Sequence, residues 1–301
     1  VVATATSSGR PLVYVNLVGG QDELVFDGGS MVADPAGQII GRAPRFEEAV
    51  VCLGVDVDEV SAPSDALPVV NVSDPVHRSD HLVVPPLAPL DEVGELYGAL
   101  VLATRDYVRK SGFTDVCLGL SGGVDSALVA TVAADALGPD RVHAVLMPSR
   151  HSSEHSVSDA EDLVSRQGLD DLTLPIEEVH QAVSGVLANA PEGEPVGLTD
   201  ENLQSRIRGV LLMARANANG WLVLSTGNKS ESAVGYTTLY GDTAGAFAVI
   251  KDVTKTRVYE LCRWRNAQSP GADGRAVVPE AILNKPPSAE LRPDQRDDQS
   301  L

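Results

Sequence analysis

A chain of 301 residues, 43% of them hydrophobic, has the material for one large or two ordinary domains. No apolar run approaches membrane length, which argues against a membrane protein and for a soluble globular one. A net charge of −19 argues against nucleic-acid binding, which usually rests on a basic face. Aromatic residues make up only 4%, so the core must be mostly Val, Leu, Ile and Ala. The three cysteines, Cys52, Cys117 and Cys262, lie far apart with no Cys-x-x-Cys pair and no His-rich tract nearby. That spacing argues against zinc and a disulfide framework, and it fits a reducing cytoplasm.

The opening, Val1 to Arg10, lacks a basic segment followed by an apolar stretch, so no signal peptide is expected. A start without Met and a polar finish at Asp297–Leu301 read as an internal fragment of a longer protein. Residues 11–60 alternate as strands do, over Leu12–Val18, Leu24–Phe26, Ser30–Ala33, Gln38–Ile40 and Ala49–Val57. Between two of these, Asp34-Pro35-Ala36-Gly37 suits a turn with proline at its second position. Cys52 falls inside the last run and is expected to be a buried strand residue.

Residues 61–90 read as a linker, because Pro63, Pro68, Pro75, Pro85, Pro86 and Pro89 forbid a long regular element. Asp91 is the expected N-cap of a helix running to about Lys110, with Val93, Leu96, Tyr97, Leu100, Val101, Tyr107 and Val108 on one face and Gly112 as its stop. From there the period changes. Strands are expected at 115–120, 142–147, 171–174 and 221–225, and helices at 125–137, 154–167, 177–188 and 200–219. Such alternation builds an α/β fold, a Rossmann-like parallel sheet with helices on both faces. Ligands bind at the carboxyl ends of the strands in such sheets.

Between the first of these strands and its helix stands Gly119-Leu120-Ser121-Gly122-Gly123-Val124-Asp125-Ser126. Glycines at the turn let backbone N–H groups crowd an anion, and the helix that follows points its positive end at the same place. The spacing matches neither Gly-x-x-x-x-Gly-Lys-Ser/Thr nor Gly-x-Gly-x-x-Gly. Instead Asp125 is within reach of a magnesium ion, and Ser121 and Ser126 can donate to phosphate oxygens. A plain Gly-Gly turn before a helix is the alternative. Ser-Gly-Gly-x-Asp-Ser resembles the signature of the ATP pyrophosphatase superfamily, enzymes that split ATP into AMP and pyrophosphate.

More strings follow in order. Asn202-Leu203-Gln204-Ser205-Arg206-Ile207-Arg208 lies on a helix, and Ser225-Thr226-Gly227-Asn228-Lys229-Ser230-Glu231 follows a strand. Then come Gly235–Asp242, Lys251–Thr256 and Leu283-Asn284-Lys285-Pro286-Pro287-Ser288-Ala289-Glu290-Leu291. Together with the phosphate loop they resemble the synthetase domain of glutamine-dependent NAD synthetases over residues 91–301. Tyr14-Val15-Asn16, Gly19–Leu24 and Gly28–Met31 resemble the last strands of the nitrilase-type glutaminase domain that precedes it in that family, giving an N-terminal β remnant of an αββα domain over residues 1–60.

The resemblance implies ATP-dependent amidation of nicotinic acid adenine dinucleotide through an adenylated intermediate, with magnesium, and with ammonia taken from glutamine in the full-length protein. It implies that residues 119–126, Thr226, Lys255 and Ser288 contact ATP and that Asn202, Arg206 and Glu231 contact substrate. Asp125 and Glu231 are the implied metal ligands, although Glu231 also suits a solvated carboxylate at a helix start. Arg206 and Arg208, two positions apart on a helix, do not share one face, so at least one is an ordinary surface charge. Lys285 neighbours Ser288 in a second loop near the triphosphate, and Arg150 lies where the superfamily positions adenine. His151 and His155, i and i+4 apart, are expected to be surface residues rather than a metal pair. The family's Glu-Lys-Cys triad belongs to a part of the glutaminase domain that this chain lacks, so free ammonia is the expected nitrogen source here. The resemblance also implies a homo-oligomer. A GMP-synthetase-like amidating enzyme and a nucleotide-binding fragment without turnover are the alternatives.

Overall fold

The computed structural model describes residues 1–55, 87–271, 274–292 and 295. The expected linker at 61–90 lies outside them except for 87–90, as does the polar finish 297–301. The chain divides into two compact units, Val1–Gly19 with Val25–Leu90, and Gly20–Leu24 with Asp91–Leu301.

The first unit opens with α1 (Val2–Ser8), which the alternating pattern further on does not announce. Short strands follow along the chain, β1 (Leu12–Tyr14), β2 (Val18–Gln21), β3 (Leu24–Asp27), β4 (Met31–Ala33) and β5 (Ile39–Arg42), with the Gly20–Leu24 stretch of β2 and β3 counted in the second unit. β4 pairs antiparallel with both β1 and β5, and β2 and β3 form a two-stranded sheet. The Asp34–Gly37 turn closes with the Gly37 N–H donating to the Asp34 carbonyl at 3.0 Å. The single run expected at 12–18 is broken at Asn16, whose amide donates to Asp27 and to the Gly28 carbonyl while its oxygen accepts from the Leu17 N–H. A short polar side chain bonding nearby groups competes with the ladder in this way.

The strand expected at 49–57 does not form over its described residues, 49–55, and Cys52 is exposed rather than buried. An apolar run becomes a strand only where it finds a partner edge or a face to pack on. Of this segment Leu53 packs on β5, where a Cβ on Gly41 would come within 2.8 Å of it.

The second unit starts with α2 (Glu92–Lys110), and its N-cap Asp91 accepts from the Gly94 N–H at 2.6 Å. Then come β6 (Val116–Gly119), α3 (Val124–Leu137), β7 (Val142–Leu146), α4 (Glu154–Gln167), β8 (Asp170–Thr173), α5 (Glu177–Leu187), α6 (Leu198–Asn219) and β9 (Leu222–Ser225). After these lie α7 (Lys229–Val234), β10 (Phe247–Ala248), α8 (Lys255–Gln268) and α9 (Glu280–Asn284), which the periodicity did not announce. The glycines that end α3, α4 and α6 are Gly138, Gly168 and Gly220, each at positive φ.

All five strands of the main sheet run parallel in the order β10-β9-β6-β7-β8. Side chains alternate between two cores. Val116, Leu118, Val142, Ala144, Leu146, Leu222 and Leu224 pack with residues of α2, α3, α4 and α8. Cys117, Val145 and Val223 face the other way, against Ile207, Leu212 and Ala216 of α6. This period of two, apolar on both faces, is what a doubly covered parallel sheet requires.

Candidate functional site

The carboxyl ends of β6, β7 and β9 open into a cavity of about 410 Å³, of a size that holds small-molecule ligands. Its lining draws on four separate segments, the phosphate loop, residues 145–160, residues 205–259 and residues 282–291.

The loop after β6 is held by its own hydroxyls. Ser126 Oγ donates to the Gly123 carbonyl at 3.0 Å, lies 3.1 Å from Ser121 Oγ, and accepts from the Ser121 N–H at 3.3 Å. Gly122 sits at φ +77, and a Cβ there would lie 2.2 Å from the Ser156 carbonyl oxygen, so only glycine fits. Gly119, Leu120, Ser121, Gly123, Val124, Asp125 and Ser126 line the cavity, while Gly122 is buried beneath it.

Thr226, Glu231, Lys255 and Ser288 line the same cavity. Lys255, in the first turn of α8, pairs with Asp125. Burial works against its charge, but the Asp125 carboxylate, with Glu231 and Tyr259 nearby, holds the ammonium above the usual lysine value. Asn228 Nδ2 donates to Asp125 Oδ1 at 2.9 Å. Glu231 and Asn228 form a reciprocal capping box at the start of α7, so Glu231 is part of a defined cap and not simply a solvated charge. Among the described residues no group of three or more His, Cys, Asp or Glu is placed to hold a metal by itself. Asp125 of the Gly119–Ser126 loop and Glu231 of α7, both on the cavity wall, nonetheless suit a magnesium ion, which takes one or two carboxylates and completes its shell with phosphate oxygens and water.

Arg206 and Arg208 part company. Arg208 lines the cavity and donates from Nε to the Met147 carbonyl at 2.9 Å. Burial pulls its guanidinium down to about 10. Arg206 lies outside the lining and donates to the Leu239 carbonyl at 3.2 Å. Asn202 is also outside the lining, and its oxygen accepts from Thr238 Oγ1 at 2.8 Å, beside Thr237, which does line it. Arg150 turns away from the cavity to His180, at 3.1 Å, and to Asp200, at 3.3 Å. His155 is exposed, and His151 accepts from Arg150 at 3.2 Å.

Several lining residues escaped the sequence reading. Asp242 accepts from the Thr238 N–H at 2.9 Å, and burial raises its carboxyl above the usual range. Glu290 accepts from Ser153 Oγ at 2.9 Å and Ser156 Oγ at 2.7 Å, fastening the Pro286–Leu291 segment to the start of α4. Lys285 bonds Ser156 and stands 3.6 Å from Glu290. Asp242 and Glu290 lie within the strings quoted above, but nothing in their spacing announces which partners they meet.

The model of the family described as NAD synthase matches residues 96–301, about two-thirds of the chain and all the segments that line the cavity. The chain belongs to the NAD synthase family. Residues 1–63 match the carbon-nitrogen hydrolase family, in keeping with a nitrilase-like N-terminal fragment. The glutamine-dependent NAD(+) synthetase of Rhodobacter capsulatus is 48% identical over 305 residues, covering 99% of this chain and 52% of the relative. That of Thermotoga maritima is 46% identical and covers 96% and 52%. The solved structure of a glutamine-dependent NAD+ synthetase from Acinetobacter baumannii, in complex with ADP, aligns with a TM-score of 0.82 at 41% identity, covering 96% of this chain and 51% of that one. The chain therefore spans about half the length of the curated relatives it matches. As an NAD synthase family member it carries the family's parallel sheet with helices on both faces.

Proposed function

We propose that this chain amidates nicotinic acid adenine dinucleotide to NAD at the expense of ATP, releasing AMP and pyrophosphate. The observation that carries the reading is the union, in one cavity, of the Gly119–Ser126 loop with Asp125, Glu231 and Lys255. A carboxylate resists ammonia because its carbon is a poor electrophile and oxide a poor leaving group. Adenylation removes that obstacle. The nicotinate oxygen bonds to the α-phosphorus of ATP, the bond to the bridging oxygen breaks, and its electron pair leaves with pyrophosphate. Ammonia then bonds to the activated carbonyl carbon, AMP departs with the carbon–oxygen electron pair, and the surplus proton leaves nitrogen.

The chain's own groups serve the charged leaving group. Backbone N–H groups of residues 119–126 and the start of α3 receive the pyrophosphate, preorganised by the Ser121–Ser126 bonds. Lys255, Ser288 and Lys285 supply further donors to the triphosphate, and Thr226 contacts the nucleotide. Arg208 takes the cationic role toward substrate, while Asn202 and Arg206 shape the site through Thr238 and Leu239. Magnesium held by Asp125 and Glu231 supplies charge neutralisation on the triphosphate when bound. In an acidic chain these cations concentrate positive potential where two polyanions must meet.

The nitrogen for this chain is free ammonia, whereas the full-length protein draws it from glutamine. The cysteines support that division. Cys117 and Cys262 are buried, with thiols pushed up to about 12 by burial, and Cys52 sits on an irregular segment. A homo-oligomer and a cytoplasmic location complete the proposal; no described helix is long and apolar enough to cross a membrane.

The test is product analysis by mass spectrometry. The chain is mixed with ATP, magnesium and nicotinic acid adenine dinucleotide, with ammonium or glutamine in parallel. NAD and AMP from ammonium alone are expected. NAD from glutamine overturns the nitrogen assignment, and no product from either source overturns the proposed reaction for this chain.

A further inference from the structure

Asn228 is fully buried and caps α7, a task that Ser, Thr or Asp performs as well. Its side-chain oxygen accepts from the Glu231 N–H at 3.0 Å, and Glu231 Oε2 in turn accepts from the Asn228 N–H at 3.1 Å. What asparagine adds over the other capping residues is the amide nitrogen. That group donates to Asp125 Oδ1, across 103 positions of chain, at 2.9 Å. The orientation of the amide follows from chemistry, because a backbone N–H only donates and a carboxylate only accepts. One buried residue thus holds both carboxylates, that of Asp125 through its side-chain amide and that of Glu231 through its backbone N–H.

We propose that Asn228 is the positioning residue for this carboxylate pair, holding Asp125 and Glu231 in register for the divalent cation that accompanies ATP. The inference rests on the reading of Asp125 and Glu231 as the metal ligands. Outer partners that orient ligating carboxylates commonly change metal affinity by about 10- to 100-fold when lost. A residue that merely capped α7 would change the stability of that turn and leave the cation dependence of nucleotide binding alone.

Asn228→Ser and Asn228→Thr keep an acceptor for the Glu231 N–H but are too short to reach Asp125. The measurement is calorimetric binding of the α,β-methylene analogue of ATP, which is not cleaved between the α- and β-phosphates, over a magnesium titration, with thermal unfolding recorded on the same samples. Both variants are expected to stay folded and to need about tenfold more magnesium for half-maximal binding. They are expected to bind the analogue without magnesium as the unmodified chain does. Folded variants with an unchanged magnesium requirement overturn the proposal. Asp125→Asn, run in parallel, separates the two levels. If it raises the magnesium requirement and neither Asn228 variant does, only the role of Asn228 falls. If it too leaves the requirement unchanged, Asp125 is not a ligand and the positioning role falls with it.

Discussion

The loop 119–126, Gly122 apart, and residues 285–291 line one cavity, but they are held in different ways. The first segment has a net of bonds within itself, from Ser121 and Ser126 to each other and to Gly123, while its Asp125 side chain is held from afar, by Asn228 and Lys255. The second has local bonds through Ser288 and Gln295 but is fastened to the rest of the wall by partners far along the chain, Glu290 to Ser156 across 134 positions and to Ser153 across 137. A loop closed by short-range bonds keeps its shape wherever a strand and helix flank it. A wall closed by long-range bonds exists only when α4 is already in place. The two meet at one point, where Gly122 lies against the Ser156 carbonyl while the Ser156 hydroxyl bonds Glu290.

The largest effect is expected at that meeting point. Gly122→Ala adds a Cβ 2.2 Å from a backbone oxygen at a residue with φ +77. It should cost about 3 kcal/mol in urea unfolding and abolish detectable ATP binding in calorimetry. Retained affinity would mean that the two walls are not coupled through this contact.

A smaller effect separates the neighbouring arginines of α6. Arg208→Met should weaken nucleotide binding by roughly tenfold, the cost of one charge-assisted contact. Arg206→Met should change it less than about twofold, as expected for a group outside the cavity. The reverse order in a calorimetric comparison would return Arg206 to the site.

The smallest effect is a dependence on pH. The pKa of Lys255 is raised in the folded chain, so its pairing with Asp125 contributes stability fully below the ordinary lysine value of 10.5. That contribution is lost as pH rises through the higher folded value. Thermal midpoints of the unmodified chain and Lys255→Met should therefore differ by a constant amount at neutral pH and converge above pH 10.5. A gap that persists to the highest usable pH would show that Lys255 acts through packing rather than charge.

These contrasts parallel what was legible in the sequence. The parallel sheet was readable because Val116–Leu118, Ala144–Met147 and Leu222–Leu224 are apolar at successive positions, and the glycines at 138, 168 and 220 mark helix ends. The Gly119–Ser126 loop was readable because its chemistry is contiguous, with glycine, carboxylate and hydroxyls inside eight positions. α7, α8 and α9 were not readable. α8 buries Val258, Leu261 and Cys262 among polar neighbours with little periodic stripe, and α7 and α9 are only 6 and 5 residues long. Too few turns are present there for a period to show.

Cys52 and Arg206 show the other boundary. Residues 49–55 carry the composition of a strand, yet no partner edge accepts them, so Cys52 stands exposed. Arg206 and Arg208 are the same residue type on the same helix, about 200° apart around its axis at 3.6 residues per turn. Which one enters the cavity depends on where α6 lies against β6 and β9, a relation that no local pattern encodes. Local chemistry, meaning which residues can turn, cap or cradle an anion, was therefore written in the sequence itself. The pairing of Asn228 with Asp125, of Glu290 with Ser156 and of Arg208 with Met147 was decided by tertiary packing, because a hydrogen bond is won by whichever group the fold brings within about 3 Å.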